Sequence, residues 1–255
     1  MIIEQTVTHA PETNGPLYRL WHGYWSSTDY KKGSGGYPKN GESLVEASAL
    51  ISVIRESSGH EFRFLELGAG WGRQSLAIAG IIDNLKIGGP TYKGIAVEAE
   101  PQHYQWLVET IRRNSVPILP LYAAVSGTCD WAHFKAGFAD TWYGQSLNRH
   151  GELKVAQYNL DYITGTFGLG GGLDLIHMDV QSAEVAVLKG GAKTIAETRV
   201  IYIGLHNNDF IDPIIALCPK HKATIVLPKD TKTKVPGFKG AISITGDGIV
   251  VLERK

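Results

Sequence analysis

Apolar residues fall along this chain in short dense runs, separated by longer stretches in which they recur every three or four positions. Runs at 64–67, 92–97, 118–125, 173–178 and 199–205 have the length and apolar density of strands buried on both faces. The stretch at 73–82 has helical spacing. So does 101–114, where Pro101 can open a helix and Tyr104, Leu107, Val108 and Ile111 share a face. Residues 184–196 form another such segment, and Gly41 opens an earlier one with Leu44, Ala47, Ile51 and Ile54 on one side. Strands alternating with helices predict an α/β fold with a Rossmann-like, doubly wound, mostly parallel sheet. The tail breaks the alternation: a run at 223–227 and two β-rich runs around the turn at Asp247 and Gly248 predict an antiparallel C-terminal edge.

The first strand-like run feeds a turn with three closely spaced glycines, FLELGAGWGRQS at residues 64–75. Gly68, Gly70 and Gly72 let the backbone turn sharply and approach a bound molecule, and a strand, glycine turn and helix in one βα unit is a nucleotide-binding context. The dinucleotide fingerprint is G-x-G-x-x-G with pyrophosphate on the helix N-terminus, whereas this loop reads E-x-G-x-G-x-G. Glu66 would repel pyrophosphate and can hold an ammonium or sulfonium-bearing ligand. The pattern resembles the first motif of class I S-adenosylmethionine-dependent methyltransferases, although a glycine turn can also serve packing alone. The second run ends at Glu98, whose carboxylate can accept hydrogen bonds from both ribose hydroxyls or can simply be an exposed strand-end acid. Glu98 follows Gly72 by 26 residues, against roughly 20 in the dinucleotide pattern, and the excess is explained by a loop at 83–90. The end of the third run, at Ala124, is expected beside the adenine.

Composition narrows the reading. The 255 residues are 43% hydrophobic, enough for one sizeable core, so a single domain is expected at 41–255. Residues 1–40 stand apart as an extension with Trp21, Tyr24, Trp25, Tyr30 and Tyr37, suited to a lid, a homo-oligomer interface or a cover for the sheet end. Lys plus Arg equals Asp plus Glu at 25 each, so no global field draws the chain to nucleic acid or an anionic membrane. A small neutral-to-polar substrate fits better than a nucleic acid, because the basic segment 220–239 is short and offset by acids elsewhere. Cys129 and Cys218 have no metal or redox spacing. With no apolar run long enough to span a bilayer and no signal-like amino terminus, a cytoplasmic location is expected.

These segments together resemble the FkbM family of methyltransferases from about residue 64 to residue 206. The likeness is carried by the glycine loop, by VEAEPQHYQWL at 97–107, LYAAVSG at 121–127, NLDYI at 159–163 and, most specifically, LDLIHMDVQSAEVAVLKGG at 173–191. The resemblance implies a class I methyltransferase fold, S-adenosylmethionine as cofactor and O-methylation, often of sugar or natural-product hydroxyls. The chain departs from the family's pattern at Ala99, where a proline is usual, at Gln181 and Ser182, where a Glu-Gly pair is usual, and at Gly204, where an acid is frequent.

Methyl transfer is an in-line displacement, so the protein must hold the acceptor oxygen opposite the leaving sulfur and accommodate its proton. Ligands of open α/β sheets lie beyond the carboxyl ends of the strands, which places Asp179 and His206 at neighbouring strand ends. With an ordinary pKa of about 6.5, His206 is expected as general base, oriented by Asp179. Alternatively, Asp179, His206 and Asn207 can ligate Mg²⁺ or Mn²⁺. His177 is expected as a sheet residue, and Asp161 and Glu184 as structural acids near helix starts. Asp140, Trp142, Tyr143, Gln145 and Ser146, in the irregular stretch 131–148, are available to touch a substrate. Two other classes stay open: an NAD-dependent oxidoreductase, and a non-catalytic protein retaining the fold.

Overall fold

The computed structural model describes residues 7–9, 16–19, 25–27, 41–57, 59–85, 91–134, 151–170, 172–234, 241–244 and 246–255. Most of the N-terminal extension, and the stretch holding Asp140, Trp142, Tyr143, Gln145 and Ser146, lie outside the described residues. Three short strands, β1 (Val7–His9), β2 (Pro16–Arg19) and β3 (Trp25–Ser27), form an antiparallel sheet. Helix α1 (Gly41–Arg55) then leads into the alternating body: β4 (Phe62–Leu67), α2 (Arg73–Leu85), β5 (Tyr92–Glu98), α3 (Pro101–Asn114) and β6 (Ile118–Tyr122). A small sheet is made by β7 (Ala124–Val125), β8 (Asp130–Phe134) and β9 (Leu153–Tyr158). After α4 (Leu160–Thr166) come β10 (Leu175–Met178), α5 (Glu184–Lys189), α6 (Ala192–Glu197), β11 (Val200–Leu205), α7 (Ile211–Leu217) and β12 (His221–Leu227). The tail adds β13 (Thr231–Lys234), β14 (Ala241–Ile244) and β15 (Gly248–Arg254).

The seven-stranded sheet runs β12-β15-β11-β10-β4-β5-β6. The five strands from β11 to β6 are parallel, and β15 is antiparallel to both of its neighbours. This is the Rossmann-like class I methyltransferase architecture. Its antiparallel C-terminal edge arises because β15 is inserted between β11 and β12. Alternation in β4 sends Phe64 to one face, against Leu50, Leu76 and Ile111 of the first three helices, and Leu65 to the other, against Leu160, Val187 and Ile214. Both neighbours are fully buried, which is why the run reads as continuously apolar rather than alternating.

Several segments differ from the sequence expectation: the stretch expected to be irregular from 131 begins inside strand β8, and α2 runs to Leu85, into the loop expected at 83–90. The run at 118–125 is two strands, since β6 ends at Tyr122 and β7 leaves to pair with β9. Pro120 in its middle suits only an edge strand, where β6 lies. The helix expected over 184–196 is broken at Gly190 and Gly191, poor helix formers, and Asp161 accepts hydrogen bonds from Lys193 N–H (3.3 Å) and Thr194 N–H (2.8 Å) at the new N-terminus of α6. The β-rich runs around Asp247 and Gly248 do not pair with each other, because β14 pairs with β13 while β15 enters the main sheet. Among the described residues no helix is long and apolar enough to cross a membrane.

Candidate active site

The glycine loop leaves β4 at the carboxyl edge of the sheet. Val97 C=O holds its start by accepting the N–H groups of Gly68 (3.0 Å) and Ala69 (2.9 Å). Gly68 has φ +76°, and a Cβ there would stand 1.8 Å from the Asp179 carbonyl oxygen, so the loop and the end of β10 touch main chain to main chain. Gly70 also has a positive φ, +54°, but a Cβ there would meet nothing within 4 Å, because this part of the loop faces open space. Glu66, Gly68, Gly70, Glu98, Ala124 and Asp179 all line one cleft. Gly72 turns instead toward Leu107 of α3, outside the cleft lining.

Glu98 sits at the end of β5 with 8% of its surface exposed, rather than as an open strand-end acid. Its Oε2 accepts the Gly70 N–H at 2.7 Å, and its Oε1 accepts the N–H groups of Ala99 (2.9 Å) and Glu100 (2.7 Å). Burial pushes its pKa up to about 7, against the pull of those donors. The acid thus ties the glycine loop to the second strand while facing the cleft. Ala123, Ala124 and Val125 add an apolar wall, with Ala124 3% exposed.

Glu66 is 2% exposed, and its Oε2 accepts both the N–H (2.9 Å) and the hydroxyl of Ser75 in the first turn of α2. Burial raises it to about 7, with His177 opposing. Parallel register pairs Glu66 with His177 on β10. His177 Nε2 lies 2.9 Å from Glu46 Oε1, its ring stacks on Tyr202 at 4.8 Å, and its pKa is raised because Glu46 outweighs the burial that opposes its charge. His177 is therefore a satisfied sheet residue on one side, although it also borders the cleft.

Beyond β10 and β11 the structure brings Asp179 and His206 together and adds two acids. The register Leu205↔Gly248 sets the start of β15 beside the end of β11, so His206 meets Asp247. His206 Nε2 lies 3.3 Å from Asp179 Oδ1 and 3.4 Å from Asp247 Oδ2, close ionic approaches that lack hydrogen-bond alignment. Nδ1 contacts Oε1 of Glu184, whose side chain is fully buried and also accepts the Ser182 N–H at 3.2 Å. Burial disfavours charge on His206, but Asp179, Asp247 and Glu184 overcome it and raise the pKa to about 11. These three acids, which lie far apart in sequence, thus favour the charged form of the imidazole over the neutral base expected from the sequence. Glu184 opens α5 as the helix-start acid expected from the sequence and is also the partner of His206.

Asn207 does not join this cluster. Its Oδ1 accepts the Asp209 N–H at 2.9 Å and caps a single 3₁₀ turn, Asn208–Phe210. Among the described residues, the set with metal-ligand spacing is Asp179, His206 and Asp247, whose ligand atoms lie within 4.8 Å of one another. The signal for Asp247 in the sequence was an Asp-Gly pair before a β-branched run, which fits a strand start as well as a hairpin turn.

The profile of the Methyltransferase FkbM domain matches residues 78–225. No curated protein matches the chain. Solved structures with similar chain paths include a precorrin-6y C5,15-methyltransferase from Geobacter metallireducens, 10% identical over 82% of this chain and 86% of that one, with a TM-score of 0.47. They also include an O-methyltransferase from Bacillus cereus in complex with SAH, 14% identical over 83% and 81%, TM-score 0.45. A third is fibrillarin from Aeropyrum pernix with natively bound S-adenosyl-L-methionine, 13% identical over 98% and 100%, TM-score 0.46.

Proposed function

As the chain belongs to the FkbM methyltransferase domain family, we propose that it methylates a hydroxyl of a small molecule, such as a sugar or natural product, using S-adenosylmethionine. The observation that carries this reading is the union of Glu98 and the glycine loop: a buried acid fastened to Gly70 N–H at 2.7 Å, lining a cleft that Asp179 also borders. When bound, the cofactor supplies an electrophilic methyl group on a sulfonium.

The chain's own residues divide the remaining work. Glu98 carboxylate oxygens accept the ribose hydroxyls, Ala123, Ala124 and Val125 cover the adenine, and the open face of Gly70 leaves room for the cofactor's body. Glu66, with one oxygen committed to Ser75, keeps its other oxygen to accept from the ammonium end of the cofactor. Asp179 is 37% exposed in its side chain and borders the cleft, so it can accept the acceptor's hydrogen bond and then its proton at a carboxylate oxygen. His206, 3.3 Å behind it at Nε2, orients that carboxylate. A cytoplasmic chain acting on a diffusible acceptor, with residues 1–40 as lid or interface, completes the reading.

Calorimetric titration of S-adenosylhomocysteine into the wild type and Glu98→Gln tests it. Micromolar wild-type binding weakened about tenfold or more by the substitution is expected, since ribose hydroxyls are read by the acid. A folded wild type with no affinity for either S-adenosylmethionine or S-adenosylhomocysteine overturns the proposal.

A further inference from the structure

We propose that Asp179, His206 and Asp247 form a site for a divalent first-row cation such as Mn²⁺, next to the acceptor end of the cleft. Three separate elements supply the donors. Asp179 follows β10, His206 follows β11, and Asp247 precedes β15, so the sheet itself converges them. The independent observation is His206 Nε2. This atom is buried and has no hydrogen-bond partner, in a side chain only 7% exposed, and it points at oxygens of the two aspartates 3.3 and 3.4 Å away.

The two separations from Nε2 are close to the edges of a coordination polyhedron, and the aspartate oxygens lie within 4.8 Å of each other. Metal–ligand bonds of about 2.0–2.2 Å give ligand–ligand edges of roughly 3.0 Å in an octahedron and 3.4 Å in a tetrahedron. The other ring nitrogen is fixed on buried Glu184, the carboxylate–histidine arrangement that orients a metal-binding imidazole. Charge points the same way. Asp179, Asp247 and Glu184 bring three carboxylates together, Lys229 answers one of them at 3.6 Å from Asp247 Oδ1, and a divalent ion that displaces the Nε2 proton of the imidazole supplies the balance. One imidazole with two carboxylates favours Mn²⁺ or a similar transition ion over Mg²⁺ or Ca²⁺, which prefer oxygen alone.

Asp179 belongs both to this cluster and to the cleft lining. On the methyltransferase reading, on which this role rests, the ion holds the acceptor's hydroxyl oxygen and lowers its pKa by Lewis acidity.

The test uses full-length protein stripped with a chelator and titrated with Mn²⁺ while free aqua-ion is followed by electron paramagnetic resonance. A single ion per chain is expected, with ¹⁴N modulation in spin-echo spectra from the His206 nitrogen. Asp247→Asn, whose side chain is 38% exposed and tolerates change, should weaken binding about tenfold or more while S-adenosylhomocysteine still binds. A wild type that leaves Mn²⁺ free at millimolar concentration, a bound ion without ¹⁴N modulation, or unchanged affinity in Asp247→Asn overturns the site. S-adenosylhomocysteine titration without metal separates the two readings. Retained cofactor binding with no Mn²⁺ uptake defeats the cation site alone, and Mn²⁺ uptake without cofactor binding defeats the methyltransferase reading alone.

Discussion

Replacing Gly68 and Gly70 by alanine, one at a time, separates the two duties of the glycine loop. Both residues have positive φ, which costs an alanine about 1–2 kcal/mol. At Gly68 the new methyl would also meet the Asp179 carbonyl oxygen at 1.8 Å and its carbon at 2.8 Å. That main chain cannot swing aside cheaply, because Asp179 N–H donates to Leu67 C=O at 2.8 Å and so locks the end of β10 to β4. Overpacking of this kind adds about 1–3 kcal/mol, and the stiffer unfolded chain returns about 0.4–1 kcal/mol, so Gly68→Ala should lose roughly 1–4.6 kcal/mol. At Gly70 nothing lies within 4 Å, and the stiffer unfolded chain returns about 0.4–1 kcal/mol, leaving a net loss of about 0–1.6 kcal/mol. Its methyl projects into the cleft instead, so S-adenosylhomocysteine affinity should fall about tenfold or more, a difference of roughly 1.4 kcal/mol. Urea unfolding followed by circular dichroism, with unchanged m-values, gives the stabilities, and calorimetry gives the affinities. Equal stability losses in the two variants, or a Gly68→Ala loss under about 0.5 kcal/mol, would refute the close approach of loop and strand end.

Two further substitutions examine the strain and charge around the site. Ser182 has φ +72° directly after Gln181 at +48°, so Ser182→Gly should relieve left-handed strain by about 0.5–1 kcal/mol and raise Tm by about 1–3 °C; a lowered Tm in differential scanning calorimetry counts against that strain. Burial holds Glu66 near 7 from an ordinary 4.5, so the folded chain keeps a proton that the unfolded chain releases, and this stabilisation is present below pH 4.5 and lost as pH rises through 7. Glu66→Gln stays neutral and keeps an oxygen for Ser75. The wild type should therefore lose on the order of 3 kcal/mol relative to the variant between pH 4.5 and 8 in urea unfolding, and parallel pH profiles would remove burial as the cause.

What the sequence made legible is what local pattern controls, and what it hid is what register controls. The strands at 64–67, 92–97 and 199–205, the loop glycines and the acid at 98 announce themselves because dense apolar runs, a turn needing positive φ and a polar stop are all short-range signals. Ala124 was legible as a cleft position, but the escape of β7 to pair with β9 was not, since eight apolar residues in a row do not mark where one sheet ends. The His206 environment needed the whole topology. In a parallel sheet, ligand-facing residues come from strand ends, and a search confined to ends finds Asp179 and His206. An inserted antiparallel strand contributes its beginning to that same edge, which is how Leu205↔Gly248 pairing delivers Asp247. Once Asp247 and Glu184 stand against the imidazole, the ring that looked like a base in isolation becomes a charged orienting group, or else the nitrogen ligand of a cation that these acids are placed to share.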